Sequence, residues 1–290
     1  MKPFFIIYSF ALLLLVSCNG QPKKEKNDKR TIMVTMEPQR FFAEAIAGEK
    51  FYIQSMVPKG SSPETYDPTP QQLTQLSKSE AYFRIGYIGF EQSWMERLTN
   101  NAPHMNVFDT SKGVELIHET EHDHGDHQHQ GGIEPHIWTS TVNAQIIAKN
   151  TFNALCTLDK KNEAYYLERY SSLSQRIMHT DSIIRSIFAS SHPDRTFMIY
   201  HPALSYFARD YGLHQICIEE GGKEPSPAHL KNLIDICKVE EVRTIFIQPE
   251  FDHRNAEIIA KQTGAKIVPI NPINYDWEKE MIHIAKSLCK

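Results

Sequence analysis

Five histidines, His118, His122, His124, His127 and His129, stand among acids and glycines in the run 118–132, and a sixth, His136, follows inside the turn Glu-Pro-His-Ile-Trp. Neutral imidazole is the commonest protein ligand for borderline metals such as zinc. A His/Asp run of low complexity can hold divalent ions loosely without folding around them; taken alone, such a run is equally consistent with a solubilising loop. Its position beside a structured histidine favours metal. Three further candidate ligands follow strand-like segments: Glu64 in Ser-Pro-Glu-Thr-Tyr-Asp-Pro-Thr-Pro, His201 at the end of Thr-Phe-Met-Ile-Tyr-His, and Asn271 in Ile-Val-Pro-Ile-Asn-Pro. Glu64, His136, His201 and Asn271 are far apart in sequence, so a site built from them exists only in the folded chain.

The elements that must position them alternate. The first half has strand patterns at Thr31 to Met36, Phe51 to Val57, Ala81 to Gly86 and Asn106 to Thr110, with helices around Gln39 to Ala47, Pro70 to Ser77 and Phe90 to Asn101. The second half repeats the scheme, with strands at Thr196 to His201, Gln215 to Glu219, Thr244 to Gln248 and Lys266 to Ile270, and helices beginning near Pro202, Pro227, His253 and Trp277. Strand-helix repetition of this kind predicts an α/β fold of two parallel-sheet lobes. Between them, Tyr166, Tyr170, Leu173, Ile177, Ile184 and Phe188 recur at helical spacing over 163–190 with no proline or glycine inside, which predicts a long backbone helix joining the lobes. Open α/β sheets bind ligands beyond the carboxyl ends of their strands, so two candidates from each lobe are expected to meet in the cleft.

The N-terminus suggests a location. After a short basic start, Phe4 to Val16 is apolar but shorter than the roughly 17–25 residues a membrane-spanning helix needs, and it reads as a secretory signal core. It ends in Leu-Val-Ser-Cys-Asn-Gly, similar to the lipobox of bacterial lipoproteins, which makes Cys18 the expected lipidation site. Residues 1–17 are thus read as signal, 18–30 as a polar tether, 31–140 as the first lobe, 141–194 as connecting helices and 195–290 as the second lobe. The net charge of −4 gives no basic excess for nucleic acid. Cys156, Cys217, Cys237 and Cys289 form no CxxC pair, which argues against a thiolate zinc site, while an oxidising compartment is compatible with a disulfide.

In this order the motifs Pro-Glu-Thr-Tyr-Asp-Pro-Thr-Pro, Gln-Leu-Thr-Gln-Leu, Gly86 to Trp94 with Glu91, Glu-Pro-His-Ile-Trp, Tyr-His-Pro-Ala-Leu-Ser-Tyr-Phe-Ala-Arg-Asp-Tyr-Gly-Leu and Glu224-Pro225-Ser226 resemble the zinc- and manganese-binding substrate-binding lipoproteins of bacterial ABC importers, the ZnuA-like and TroA-like family. The resemblance covers essentially the whole mature chain. It implies two βα lobes on a backbone helix, a metal buried between them, and delivery to a membrane permease. Two positions depart from it. Glu64 stands where the family usually has its first histidine, and Asn271 where many members have a carboxylate. More oxygen donors favour Mn(II) or Fe(II), whereas two imidazoles and the histidine run favour Zn(II), the expected cargo, with water or Asn271 in fourth place.

The remaining residues have plainer readings. His104, His179, His192, His214, His229 and His283 are expected on the surface, Trp94, Trp138 and Trp277 in packing, and Ser226 as a helix cap ahead of Pro227. His253, opening a helix near the cleft, is an alternative ligand. The expected protein is a monomer, anchored by lipid in the cell envelope, that breaks no bond. Two other classes share its donor set: a metal-dependent hydrolase, against which it counts that no HExxH helix, GxSxG elbow or local base is read, and a same-fold lipoprotein for a chelated metal or organic ligand.

Overall fold

In the computed structural model, residues 30–118, 132–191, 193–220 and 222–289 are described. Residues 1–29, with the signal, Cys18 and all of the tether but Arg30, and His122, His124, His127, His129 and His192, lie outside them. The first sheet contains β1 (Thr31–Val34), β2 (Tyr52–Ser55), β3 (Ala81–Arg84) and β4 (Asn106–Asp109), all parallel, in the order β2-β1-β3-β4. The second contains β5 (Thr196–Ile199), β6 (His214–Cys217), β7 (Thr244–Ile247) and β8 (Lys266–Pro269), again parallel, in the order β6-β5-β7-β8. Each order reverses once, between β1 and β3 and between β5 and β7, and at such a reversal the adjacent loops diverge and leave a crevice.

Helices cover both sheets: α1 (Glu37–Ala47), α2 (Pro70–Leu76) and α3 (Gly89–Asn101) in the first lobe, and α6 (Ser205–Tyr211), α7 (Pro227–Val239), α8 (Arg254–Thr263) and α9 (Trp277–Ser287) in the second. Helices α4 (Thr141–Leu158) and α5 (Glu163–Ser190) connect them. Residues Tyr166, Leu173, Ile177, Thr180 and Ile184 of α5 are buried at three-, four- and seven-residue steps, one stripe of an amphipathic helix roughly 42 Å long at 1.5 Å per residue. That stripe packs on α1, α4 and α9, so one rigid element contacts both lobes.

Alternation along β5 shows how the second sheet is buried on both faces. Phe197 and Ile199 face the large core shared with α5 and the first lobe, while Met198 and Tyr200 face a separate core under α7 and α8. Every strand ladder ends short of the apolar pattern in the sequence. Thr35, Ile85, Gly86, His201, Glu219 and Gln248 lie just past the strand ends, where the backbone leaves the sheet and carries side chains into the cleft region. The helix expected near Pro202 begins only at Ser205, after a turn in which Ala203 N donates to His201 O at 2.7 Å. Cys156, Cys217, Cys237 and Cys289 are free thiols, so no disulfide joins them.

Candidate metal centre

The two lobes use their crevices differently. In the first, the reversal between β1 and β3 is filled by the protein's own side chains. Gln39 Oε1 accepts from Thr35 N and Met36 N at 3.0 and 3.1 Å, and its Nε2 donates to Phe83 O at 3.0 Å. Glu91, 2% exposed, accepts from the Thr35 hydroxyl and from the amides of Ile85 and Gly86. Burial is the chief cause that raises the Glu91 pKa, against the pull of those donors. Gly86 takes φ +101°, a backbone conformation that L side chains rarely adopt. With this crevice closed, the first lobe supplies its site residues from the loops that follow β2 and β4.

Glu64 comes from the loop after β2. Helix α3 has Ile88 at its N-cap and no side-chain cap. Instead, Gly89 N donates to Glu64 Oε2 at 3.0 Å and Phe90 N to Pro63 O at 2.9 Å, so the loop occupies exposed donors of the first turn. The partial positive charge of a helix N-terminus also favours an anionic group there, which suits a carboxylate at this position. A Cβ on Gly89 would collide with the Glu64 carbonyl oxygen, so this close approach requires glycine.

His136 follows β4 and caps a short 3-10 turn, Ile137–Thr139. Its backbone N donates to Glu134 Oε1 at 2.9 Å, and its Nδ1 meets the same oxygen. Burial acts to raise the Glu134 pKa, but the His136 charge and the hydrogen bonds from His136 and Ser205 outweigh it, and Glu134 lies below the usual carboxylate value. A carboxylate only accepts, so Nδ1 carries a proton, and in the neutral ring Nε2 keeps its lone pair. Glu134 is supported from the other lobe, by Ser205 Oγ at 3.0 Å and by Tyr206 OH, which donates to Glu134 O at 2.8 Å.

His201 stands at the open reversal of the second sheet. Gln248, just past β7, accepts from His201 N at 3.2 Å and donates to His201 O at 2.7 Å, fixing its backbone. Glu219 Oε1 lies 2.8 Å from Nδ1, and Phe251 stacks on the ring at 4.8 Å and 18°. His201 Nε2 is buried without a hydrogen-bond partner. An unsatisfied buried acceptor costs about 1–3 kcal/mol, and here it faces a donor set. Among the described residues, Glu64, His136 and His201 each present a ligand atom within 4.8 Å of the others. The cavity they line, with Ser62, Gln248 and Glu250, measures about 30 Å³. A water needs roughly 10–15 Å³ by the same measure, so an ion and a water or two would fill it.

Asn271 is not brought to this cluster. Its Oδ1 accepts from Ile273 N at 3.1 Å in a local turn, its backbone N donates to Glu280 Oε1 at 2.7 Å, and it lines a different cavity, with His253 and His283. His253 begins α8 and is also apart from the cluster. His118 is exposed and pairs with Ile133 as an antiparallel bridge at the foot of the histidine run. Trp138 and Trp277 are buried and latch the lobes: Trp138 Nε1 donates to Pro272 O at 2.8 Å and Trp277 Nε1 to Trp138 O at 2.7 Å. Sequence reasoning missed the orienting carboxylates Glu134 and Glu219. The signal was an acid two residues before one histidine, and another at the end of the strand beside β5.

Burial acts to lower the His201 pKa, but the Glu219 hydrogen bond and the charges of Glu219, Glu64 and Glu134 outweigh it, and the net shift is upward from the ordinary histidine value. A cation needs the neutral ring. The proton is therefore held to higher pH than in a free imidazole, and metal affinity is expected to fall as pH drops through that raised value and to level off above it. Affinities measured between about pH 8 and 5.5 should begin to decline above the ordinary histidine pKa of about 6.5; a flat profile over that range contradicts the expectation.

Residues 32–288 match the family described as zinc-uptake complex component A, periplasmic (ZnuA). The chain belongs to the ZnuA family. It is 27% identical to the iron ABC transporter substrate-binding lipoprotein MtsA of Streptococcus pyogenes serotype M1, over 89% of this chain and 84% of that protein. It is 26% identical to the manganese ABC transporter substrate-binding lipoprotein PsaA of Streptococcus pneumoniae, over 88% and 83%. The zinc-binding lipoprotein AdcA of Streptococcus pneumoniae is 24% identical over 95% of this chain but 56% of its own length, so the chain spans little more than half of AdcA. A crystal structure of ZnuA superposes with a TM-score of 0.82 at 33% identity, covering 89% of this chain and 97% of that one. The chain is a metal-binding substrate-binding protein of the kind that works with an ABC importer's membrane permease.

Proposed function

We propose that this protein captures a single divalent transition metal, Zn(II) by preference, with Glu64, His136 and His201, and hands it to an ABC permease. The observation that carries the reading is the convergence of three donors from separate loops within 4.8 Å, with His201 Nε2 buried and unpartnered. Two oriented imidazoles and one carboxylate form a zinc donor set with a position left for water or a further ligand. The relatives named for manganese and iron make metal choice the open variable of this architecture, and the two imidazoles tip it towards zinc. The histidine run 118–132 then serves as a low-affinity collector, and Cys18 as a lipid anchor that keeps a monomeric body outside the cytoplasm. No bond-breaking step is part of this reading: its donors converge on a single ion.

Elemental analysis of gently purified protein, combined with competition between Zn(II) and Mn(II), tests the reading. The expected result is one tightly held equivalent, with zinc displacing manganese. Protein that retains no transition metal and binds neither ion on titration would sink it.

A further inference from the structure

The three converging donors leave a fourth coordination position, and Asn271 does not reach it. Glu250 lines the same cavity as Glu64, His136 and His201. It sits on the turn after β7, in which Phe251 N donates to Gln248 O at 3.2 Å, so it occupies the strand-end position across the open reversal from His201. Its Oε1 is buried and has no hydrogen-bond partner, the same condition as His201 Nε2 in the same cavity. Two buried acceptors without donors, lining one small cavity, cannot satisfy each other, and a cation satisfies both. The neighbouring residues fix the turn: Gln248 is tied to the His201 backbone and Phe251 to its ring.

We propose that Glu250 is the fourth protein ligand, its carboxylate swinging onto the ion from the turn after β7 while Asn271 stays in its own turn. Glu250 stands outside the trio whose donor atoms all lie within 4.8 Å of one another, so its side chain must rotate to reach an ion held there. Two carboxylates and two neutral imidazoles balance a divalent charge. This set raises the affinity for oxygen-preferring ions more than for zinc, which three protein ligands and a water already suit. Glu250 thereby sets how far the site tolerates manganese.

This inference rests on the metal-capture reading, and the two fail separately. Zn(II) and Mn(II) affinities would be measured by chelator competition for wild type, Glu250→Gln, Glu250→Asp and Asn271→Ala, with the melting temperature of each metal-free protein. Glu250→Gln is expected to weaken manganese binding about tenfold or more and zinc binding by less, with Glu250→Asp recovering part of the loss and Asn271→Ala matching wild type. The Co(II)-substituted Glu250→Gln protein should show altered visible bands, since a ligand has been lost. Unchanged affinities in Glu250→Gln, or equal losses for both metals with a lowered apo melting temperature, would overturn the assignment to Glu250 alone. A wild-type protein that binds neither metal would overturn the reading beneath it.

Discussion

Replacing His201 with alanine is expected to lower zinc affinity by about 100-fold or more, beyond the roughly 10–100-fold that losing a supporting partner costs. The reason is the donor set that remains. With His201 gone, Glu64 and His136 remain of the converging trio, and a single imidazole beside carboxylate oxygens is a poor zinc donor set. The substitution also leaves the Glu219 carboxylate, which contacts His201 Nδ1 at 2.8 Å, without its ring partner. His136→Ala should behave alike, stranding Glu134. Isothermal titration of each variant, with circular dichroism to verify folding, checks the expectation. Folded alanine variants that keep wild-type zinc affinity would show that the cation binds elsewhere.

Changing Glu64 to histidine should move selectivity in the opposite sense. The substitution replaces a hard anionic oxygen with a softer neutral nitrogen, giving three imidazoles, and it is expected to raise the zinc-to-manganese affinity ratio by about tenfold or more. It also removes the acceptor for Gly89 N, so a modest loss of stability at the start of α3 should accompany the gain. Competition of the two ions for the variant and the parent reads the ratio directly. An unchanged ratio would mean that Glu64 caps the helix without touching the ion.

Much of this fold and site is legible in the sequence. The stripe from Tyr166 to Ile184 has the period of a single helix and contains no breaker, and α5 spans Glu163–Ser190. The strand patterns were legible because parallel strands covered on both faces read as apolar runs with abrupt ends. His136 stands out because it follows the histidine run in the turn Glu-Pro-His-Ile-Trp, and His201 because it ends an apolar strand pattern. Asn271 looked equivalent by position. Its side chain, however, has a local acceptor role at Ile273 N, and an amide that can serve either its own turn or a metal carries no mark in sequence to separate the two. Glu134, Glu219 and Glu250 carry only a weak signal in sequence, for a related reason. Acids are common near strand ends, and what distinguishes these three is the neighbour each meets after folding.

The hydrogen bonds on Glu134 carry a further consequence. Glu134, which orients His136, belongs to the first lobe by chain, yet two residues of the second lobe hold it, Ser205 Oγ on its carboxylate at 3.0 Å and Tyr206 OH on its backbone carbonyl at 2.8 Å. A separation of the lobes by as little as ~1 Å would carry both contacts beyond hydrogen-bonding range. Glu134 would then be free to shift, and His136 would lose the fixed partner that sets its ring orientation. A docking partner that levers the halves apart would thus slacken the orientation of one ligand before any donor has let go.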